Sequence, residues 1–191
     1  MNVILVHGFL DTGAIFSGLA RHLTLAGHTC FVPSLKPSNA RDGIPMLAYQ
    51  LDRFVHASLP ANQNAAFVGF SMGAIVVRYY LQELDGHKLA KGYFSICGPH
   101  CGTLTACLCP GKGVSQMRPN SRFLKQLDQT ADRLAGFPVV HYWTPFDLMV
   151  RPVRSSRWCR AENVRILSPL HSMMVSNRSL HNDIERRLSM L

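Results

Sequence analysis

A serine between two glycines is the strongest chemical signal in the sequence. Gly69, Ser71 and Gly73 form a Gly-x-Ser-x-Gly motif directly after a short apolar run, residues 65–68, and an apolar helix-forming stretch begins at Met72. A strand, a sharp turn and a helix in this order hold a serine oxygen clear of the sheet, where it can attack a carbonyl carbon as a nucleophile. A helix-capping serine with two turn glycines would give the same motif, but a cap needs neither glycine. The context therefore favours a nucleophile.

A second signal lies at the start of the chain, where the apolar run 3–6 ends in His7 and Gly8. Acyl transfer needs two backbone N–H groups directed at the developing oxyanion. We expect the N–H of Met72, just after the serine, to supply one and the N–H of Phe9 to supply the other. We expect His7 to be structural rather than a catalytic base, because the loop after the first strand would hold it.

Short apolar runs alternate with amphipathic stretches along the whole chain. The apolar runs cover residues 3–6, 29–32, 65–68, 92–97, 139–143 and 164–167. The stretches with helical spacing cover residues 16–25, 44–59, 72–84, 121–134 and 176–191. Runs that are apolar on both faces are typical of strands covered by helices on both sides. The pattern predicts an α/β fold with a mostly parallel sheet, whose working site lies at the carboxyl ends of the strands.

One domain is expected to span residues 1–191, because no linker, repeat or low-complexity tract separates two cores. One long excursion, residues 98–136, holds a cysteine-rich part and a helix. It is too short for a full cap domain, and we expect it to border the active site. We refer to it below as the 98–136 segment.

Four of the six cysteines fall within residues 97–109, with His100 among them. Their spacing does not match the paired ligands that are typical of structural zinc sites. A chain without a secretory leader is expected to keep its thiols reduced. Free thiols are the favoured interpretation, while a zinc site and one loop disulfide remain alternatives.

The net charge of +9 raises the question of a nucleic acid or an anionic membrane as partner. No zinc-finger spacing, aromatic RNA-binding motif or long basic run accompanies it, so we expect no nucleic-acid partner. Four arginines, at 151, 154, 157 and 160, form either a solvated loop or a surface for an anionic lipid interface or a fatty-acid carboxylate. The first residues lack a basic leader region and no apolar run approaches the ~20 residues of a membrane span, so we expect a cytoplasmic protein.

The chain resembles the α/β-hydrolase superfamily and, within it, the small bacterial lipases and esterases. The resemblance rests on Val-His-Gly-Phe at 6–9, Gly-Phe-Ser-Met-Gly at 69–73 and Pro-His-Cys-Gly-Thr at 99–103. Cys101 stands where another residue, often His, is expected, and Phe70 stands where many members have His. The resemblance implies a minimal α/β-hydrolase fold, with a six-stranded sheet in strand order 2-1-3-4-5-6 and no large cap domain.

The superfamily places its serine, acid and histidine in that order along the chain. Asp147 is the only acidic residue in range that follows a strand at the correct edge of the sheet. The other acidic residues lie on helices or at the wrong edge: Glu83, Asp85, Asp128, Asp132 and Glu162. His171 directly follows the last apolar run, whereas His181 lies inside the last helix and is expected to be solvated. His171 would take the Ser71 proton and Asp147 would fix its tautomer.

The predicted activity is hydrolysis of carboxyl esters, lipase-like or esterase-like, through an acyl-enzyme on Ser71. The expected substrate is a small acyl ester or a lipid, and transient contact with a lipid interface is possible; no cofactor or metal is expected. Apolar residues that flank the catalytic positions are predicted to bind the substrate: Leu10, Leu148, Met149 and Met173. An acyl-thioester hydrolase is the alternative within enzymes, because the same triad serves both bonds. A non-catalytic lipid-binding protein is the alternative outside enzymes, and the full Ser-His-Asp set argues against it.

Overall fold

A computed structural model describes residues 1–60 and 63–191 of the chain. The strands in these residues are β1 (Asn2–Val6), β2 (Thr29–Phe31), β3 (Ala65–Phe70), β4 (Ala90–Ile96), β5 (Val139–Trp143) and β6 (Glu162–Arg165). The α-helices are α1 (Ser17–Leu25), α2 (Ile44–Ser58), α3 (Met72–Glu83), α4 (Lys112–Gln116), α5 (Arg122–Gln129) and α6 (Arg178–Leu188). Short 3₁₀ turns occupy Gly13–Phe16, Gly86–Lys88, Leu104–Cys107, Ala131–Leu134, Val153–Ser156 and Ser172–Ser176.

The strands of the described residues form one sheet in the order β2-β1-β3-β4-β5-β6. The prediction of a six-stranded sheet in this order is confirmed, and every neighbouring pair is parallel. The register pairs Val6 with Gly69 and Phe70 with Ile96. The residues that follow β1, β3 and β4 therefore emerge side by side at the carboxyl edge of the sheet.

Helices cover both faces of the sheet, and each layer encloses its own core. Ile4 and Val6 of β1 belong to the core under α2 and α3, whereas Val3 and Leu5 belong to the core under α1 and α6. This alternation follows from the two-residue period of a strand. All four side chains are fully buried, which explains why the strand is apolar on both faces.

The last strand begins two residues earlier than the apolar run 164–167 predicts. β6 is an edge strand that pairs only with β5, so half of its surface faces solvent and need not be apolar. Leu167 lies beyond the strand and is 65% exposed. The apolar run thus marks the loop that leads from β6 to the site rather than the strand itself.

Polar residues on α3 lie inside the protein, although in the sequence Arg78, Gln82 and Asp85 form a polar stripe. Arg78 and Gln82 are 0% exposed. Arg78 Nε donates to Gln82 Oε1 at 2.7 Å, and Arg78 Nη2 donates to Asp128 Oδ1 of α5 at 2.6 Å. The guanidinium also lies 4.8 Å from the centre of the Trp158 ring. Arg78 therefore joins α3 to the 98–136 segment and to the chain that follows β5.

His181 is buried, so the prediction that it is solvated is wrong. It is 7% exposed, and its Nε2 donates to the Val175 carbonyl oxygen at 2.7 Å. Its ring lies 5.4 Å from that of His22 on α1. Because α6 packs against α1, a position beside the apolar stripe of α6 becomes part of the interior.

The 98–136 segment contains the short helices α4 and α5 and no large cap domain, as predicted. It packs on the α2 and α3 side of the sheet, since α4 contacts α2 and α5 contacts α3. Among the helices of residues 1–60 and 63–191, none is both long and apolar enough to cross a membrane.

Replacing Arg78 by alanine should destabilise the protein, because the change removes both hydrogen bonds and leaves the Asp128 carboxylate without its partner. We expect the free energy of unfolding to fall by about 3 kcal/mol. Urea denaturation followed by circular dichroism measures this. The control Lys125→Ala, on an exposed position of α5, should change the free energy by less than about 0.5 kcal/mol. Equal losses in the two variants would contradict a structural role for Arg78.

Candidate active site

Ser71 occupies a strained turn between β3 and α3. Its backbone angles are φ 53° and ψ −121°, a region that residues with a side chain rarely adopt. Its N–H donates to the Ile96 carbonyl oxygen at 2.8 Å, which ties the turn to β4. The turn places the serine oxygen at the carboxyl edge of the sheet, as the Gly-x-Ser-x-Gly motif predicts.

Both glycines of the motif are required by close packing. A Cβ atom at Gly69 would lie 2.5 Å from Ala74 Cα, and one at Gly73 would overlap the carbonyl oxygens of Val6 and His7. Real Cβ atoms do not approach backbone atoms this closely. The helix therefore passes directly over the ends of β1 and β3, and only glycine fits at either position.

Asp147 and His171 form a hydrogen-bonded pair at the same edge. His171 Nδ1 donates to Asp147 Oδ2 at 2.7 Å, and Asp147 is 1% exposed. The other carboxylate oxygen, Oδ1, accepts the N–H groups of Met149 at 2.7 Å and Val150 at 2.9 Å. Because a carboxylate only accepts, the proton lies on His171 Nδ1 and the lone pair on Nε2 is free to act as a base.

Burial raises the pKa of Asp147, but the hydrogen bond from His171 and those from the two backbone N–H groups outweigh burial. The net effect holds the pKa of this carboxyl below its usual range. Asp147 therefore stays ionised at neutral pH, which suits a group that orients an imidazole and stabilises its protonated form.

No hydrogen bond joins Ser71 and His171 in the described part of the chain, but His171 packs against the residue that precedes the serine. The ring of Phe70, the residue before the serine, packs against the His171 ring with 4.9 Å between ring centres. Hydrogen bonds between catalytic groups are often long or misaligned in unliganded proteins and tighten when substrate binds. The structure thus brings the three predicted catalytic residues to one edge, with the acid and the base already bonded.

Cys97 lies against this pair, which sequence reasoning did not predict. One ligand atom from each of Cys97, Asp147 and His171 falls within 4.8 Å of the others. Cys97 follows β4 with φ 50°, just as Ser71 follows β3 with a positive φ. Its place directly after a buried strand indicates a position at the carboxyl edge of the sheet, although in the sequence it reads as the first member of a cysteine cluster.

Two of these three residues are already hydrogen-bonded to each other, since Asp147 accepts the His171 proton. Burial and the Asp147 carboxylate raise the pKa of the Cys97 thiol well above its usual range, so the thiol is neutral at neutral pH. The arrangement is better described as a hydrogen-bonded acid–base pair beside a neutral thiol.

The cysteines within 97–109 do not gather around a metal in the described residues. His100 Nε2 is 2.7 Å from Ser95 Oγ, and its ring stacks on Trp158 at 3.8 Å between ring centres. All six cysteines of the chain are free thiols, including the exposed Cys101, Cys107 and Cys109. The loop disulfide that the sequence left open is therefore not formed, and Cys97 is the one cysteine of the described residues whose sulfur lies close to two other possible ligand atoms.

The two predicted oxyanion donors are unpaired among residues 1–60 and 63–191. The backbone N–H groups of Phe9 and Met72 donate to no group there. The loop that carries Phe9 lies against the serine, since a Cβ atom at Gly8 would be 3.2 Å from Ser71 Cβ. Two free N–H groups on either side of a serine can stabilise a developing negative charge.

His7 is structural, as its place before the serine predicts. It is 1% exposed, its Nδ1 donates to the Gly8 carbonyl oxygen at 2.9 Å, and its Nε2 accepts the Leu35 N–H at 2.9 Å. Both ring nitrogens are occupied, so His7 holds the loop after β1 in place and has no free nitrogen for proton transfer.

A small apolar pocket of about 100 Å³ opens beside Ser71. Phe9 and Met149 line it together with the serine. Most of the remaining wall comes from the 98–136 segment: Pro99, Thr103, Thr105, Ala106, Cys109, Val114 and Met117.

Of the four predicted substrate-binding residues, Met149 lines this pocket. Leu10, Leu148 and Met173 lie outside it on the surface, where they are 68%, 66% and 49% exposed. Their loops turn outward after the strands, while the 98–136 segment folds over the serine. Sequence proximity to a catalytic residue did not reveal which side chains face the serine, because the wall comes from a segment far from all three catalytic residues.

Comparison with known proteins identifies the fold family of the chain. A family model described as alpha/beta hydrolase fold matches residues 2–106. No curated protein sequence matches the chain. Mature lipase BlEst2 from Bacillus licheniformis superposes with a TM-score of 0.76 at 14% identity, over 98% of this chain and 91% of that chain.

Two further solved structures are similar. Lipase B from Aspergillus fumigatus has a TM-score of 0.76 at 16% identity, over 98% of this chain and 52% of that one. Polyneuridine aldehyde esterase has a TM-score of 0.69 at 16% identity, over 98% of each chain. Sequence identities this low show that the folds are similar and no more. Because the family model covers more than half of the sequence, the chain belongs to the alpha/beta hydrolase fold family.

Proposed function

We propose that the chain is a serine hydrolase of carboxyl esters, with Ser71 as nucleophile, His171 as base and Asp147 as the acid that orients it. The observation that carries this proposal is the 2.7 Å hydrogen bond between Asp147 and His171, at the sheet edge where the strained turn presents Ser71. The similarity in fold to proteins named lipase and esterase supports an ester as the bond that is cleaved.

The proposed reaction proceeds through an acyl-enzyme. His171 Nε2 accepts the Ser71 proton while Oγ attacks the ester carbonyl carbon. The N–H groups of Phe9 and Met72 donate to the resulting oxyanion. The C–O bond to the alcohol then breaks, and His171 gives its proton to the departing alcohol oxygen. Water, deprotonated by the same imidazole, attacks the acyl carbon. The bond from this carbon to Ser71 Oγ breaks, His171 returns the proton to Oγ, and the carboxylic acid is released. No step needs a cofactor.

We also propose that the rim of the site contacts lipid interfaces. Most of the exposed large apolar side chains of the protein lie in loops at the carboxyl edge of the sheet: Leu10, Leu104, Leu108, Phe146, Leu148, Met149, Leu167, Leu170 and Met173. Arg151 and Arg154 lie exposed in the loop after β5. An apolar rim with adjacent positive charge is suited to an anionic lipid surface.

The proposal predicts that wild-type protein hydrolyses p-nitrophenyl butyrate and that Ser71→Ala lowers kcat/KM by at least about 10³-fold, since the nucleophile is lost. The absorbance of the released p-nitrophenolate measures the rate. The control Ser189→Ala, at an exposed serine after α6, should keep wild-type rates. Hydrolysis of butyryl-thiocholine alone would favour the thioester alternative, and inertness toward every substrate would favour a binding protein.

Asp147→Asn should lower kcat by about 10³–10⁴-fold, because an amide no longer selects the imidazole tautomer whose Nε2 is basic. The same ester assay measures the change. The matched control is Asp132→Asn, whose side chain is 92% exposed and remote from the site. If Asp147→Asn retained the rate of the control, Asp147 would not be the acid of the triad.

Removing apolar area from the rim should weaken membrane binding. We expect the double substitution Leu148→Ser and Met173→Ser to lower partitioning onto phosphatidylglycerol vesicles by about tenfold or more, because burial of each such side chain contributes about 1.5 kcal/mol. Co-sedimentation with the vesicles measures partitioning. Leu25→Ser, 80% exposed on α1 away from the rim, serves as the control. Equal partitioning of all three proteins would refute the rim as a lipid contact.

A further inference from the structure

The pocket beside Ser71 is small, and Phe9, one of the two proposed oxyanion donors, lines one side of it. From its position and size we infer that it binds the acyl group of the substrate and admits chains of no more than about four carbons. This inference rests on the proposed ester hydrolysis and adds to it the class of substrate: short-chain acyl esters.

The position of the pocket assigns it to the acyl group rather than to the alcohol. In acyl transfer the protonated imidazole must reach the departing alcohol oxygen, so the alcohol lies beside the histidine. Neither His171 nor any residue of its loop lines the pocket, whereas Phe9 and Ser71 do. The acyl chain therefore enters the pocket, and the alcohol lies on the His171 side, where Leu170 and Met173 are about half exposed.

The size of the pocket limits the chain. A cavity of about 150 Å³ holds a benzene molecule, so one of about 100 Å³ holds about four carbon atoms. Pockets for larger organic ligands are typically about 300 Å³ or more. Ala106, Val114 and Met117 line the pocket and are themselves 4%, 4% and 7% exposed, so packed protein rather than solvent lies behind them.

Hydrogen bonds hold this wall in place. The Thr103 N–H donates to the Met117 carbonyl oxygen at 2.9 Å, and Thr105 Oγ1 donates to the Met149 carbonyl oxygen at 2.6 Å. The Arg151 N–H donates to Thr103 Oγ1 at 2.9 Å. The last two bonds join the 98–136 segment to the loop after β5, so these two parts of the wall cannot separate to admit a longer chain without breaking them.

The test is a p-nitrophenyl ester series of acetate, butyrate, hexanoate, octanoate and dodecanoate, in which only the acyl chain varies. We expect the highest kcat/KM with acetate or butyrate and a fall of at least about tenfold by octanoate, since methylenes that do not fit cost about that factor or more. A wild-type optimum at octanoate or longer overturns the inference but leaves the proposed function intact. No hydrolysis of any ester overturns the proposed function itself.

Two variants of the pocket wall test its role directly. Met117→Ala deepens the pocket and should raise the octanoate-to-butyrate ratio of kcat/KM at least about tenfold. Ala106→Val fills it and should shift the preference from butyrate to acetate. Leu108→Ala, in the same segment but 82% exposed and outside the pocket, is the matched control and should keep the wild-type profile. Melting temperatures identify folded variants, and an unchanged profile in folded pocket variants overturns the inference.

Discussion

The close approach of α3 to the ends of β1 and β3 is the constraint on which the site depends. No side chain fits between α3 and the strands at Gly69 or Gly73, and the chain turns sharply at Ser71 between these two glycines. That turn forces Ser71 to a positive φ and leaves the Met72 N–H at the unpaired start of a helix. The positions of the proposed nucleophile and of one proposed oxyanion donor are thus consequences of one packing contact. The buried central strands β1 and β3 supply the rigid frame that can bear the strain.

The proposed acid and base, Asp147 and His171, depend on a second set of contacts, further along the sheet. Asp147 is almost fully buried, and it remains ionised because three donors satisfy its two oxygens. The loop that supplies two of these donors also forms part of the pocket wall through Met149 and Val150. Orientation of the base and shape of the proposed acyl pocket are therefore coupled: a change that moves this loop alters both. Arg78 holds α5 and the chain after β5 against α3, through its contacts with Asp128 and Trp158.

Much of the fold and of the proposed site could be predicted, because the ends of the strands can be recognised in the sequence. Parallel strands bring the residues after them to one edge, so Ser71, Asp147 and His171 could be chosen by position alone. The residues that line the pocket could not be predicted, because its wall depends on how the 98–136 segment folds over the serine. The burial of His181 was missed for a related reason: it looks solvent-facing on an isolated helix and is covered by α1. Cys97 was overlooked because its nearby cysteines suggested a shared role.

The central claim, that Ser71 is the nucleophile, is tested most directly by covalent labelling. A fluorophosphonate reacts with a serine whose proton is removed by an adjacent base. An oxyanion hole holds the phosphonyl oxygen of the reagent during this reaction. We predict stoichiometric addition to the folded protein, with peptide mass spectrometry locating the adduct on Ser71 and with labelling abolished in Ser71→Ala. An adduct on another residue, or none on folded wild-type protein, would contradict the account.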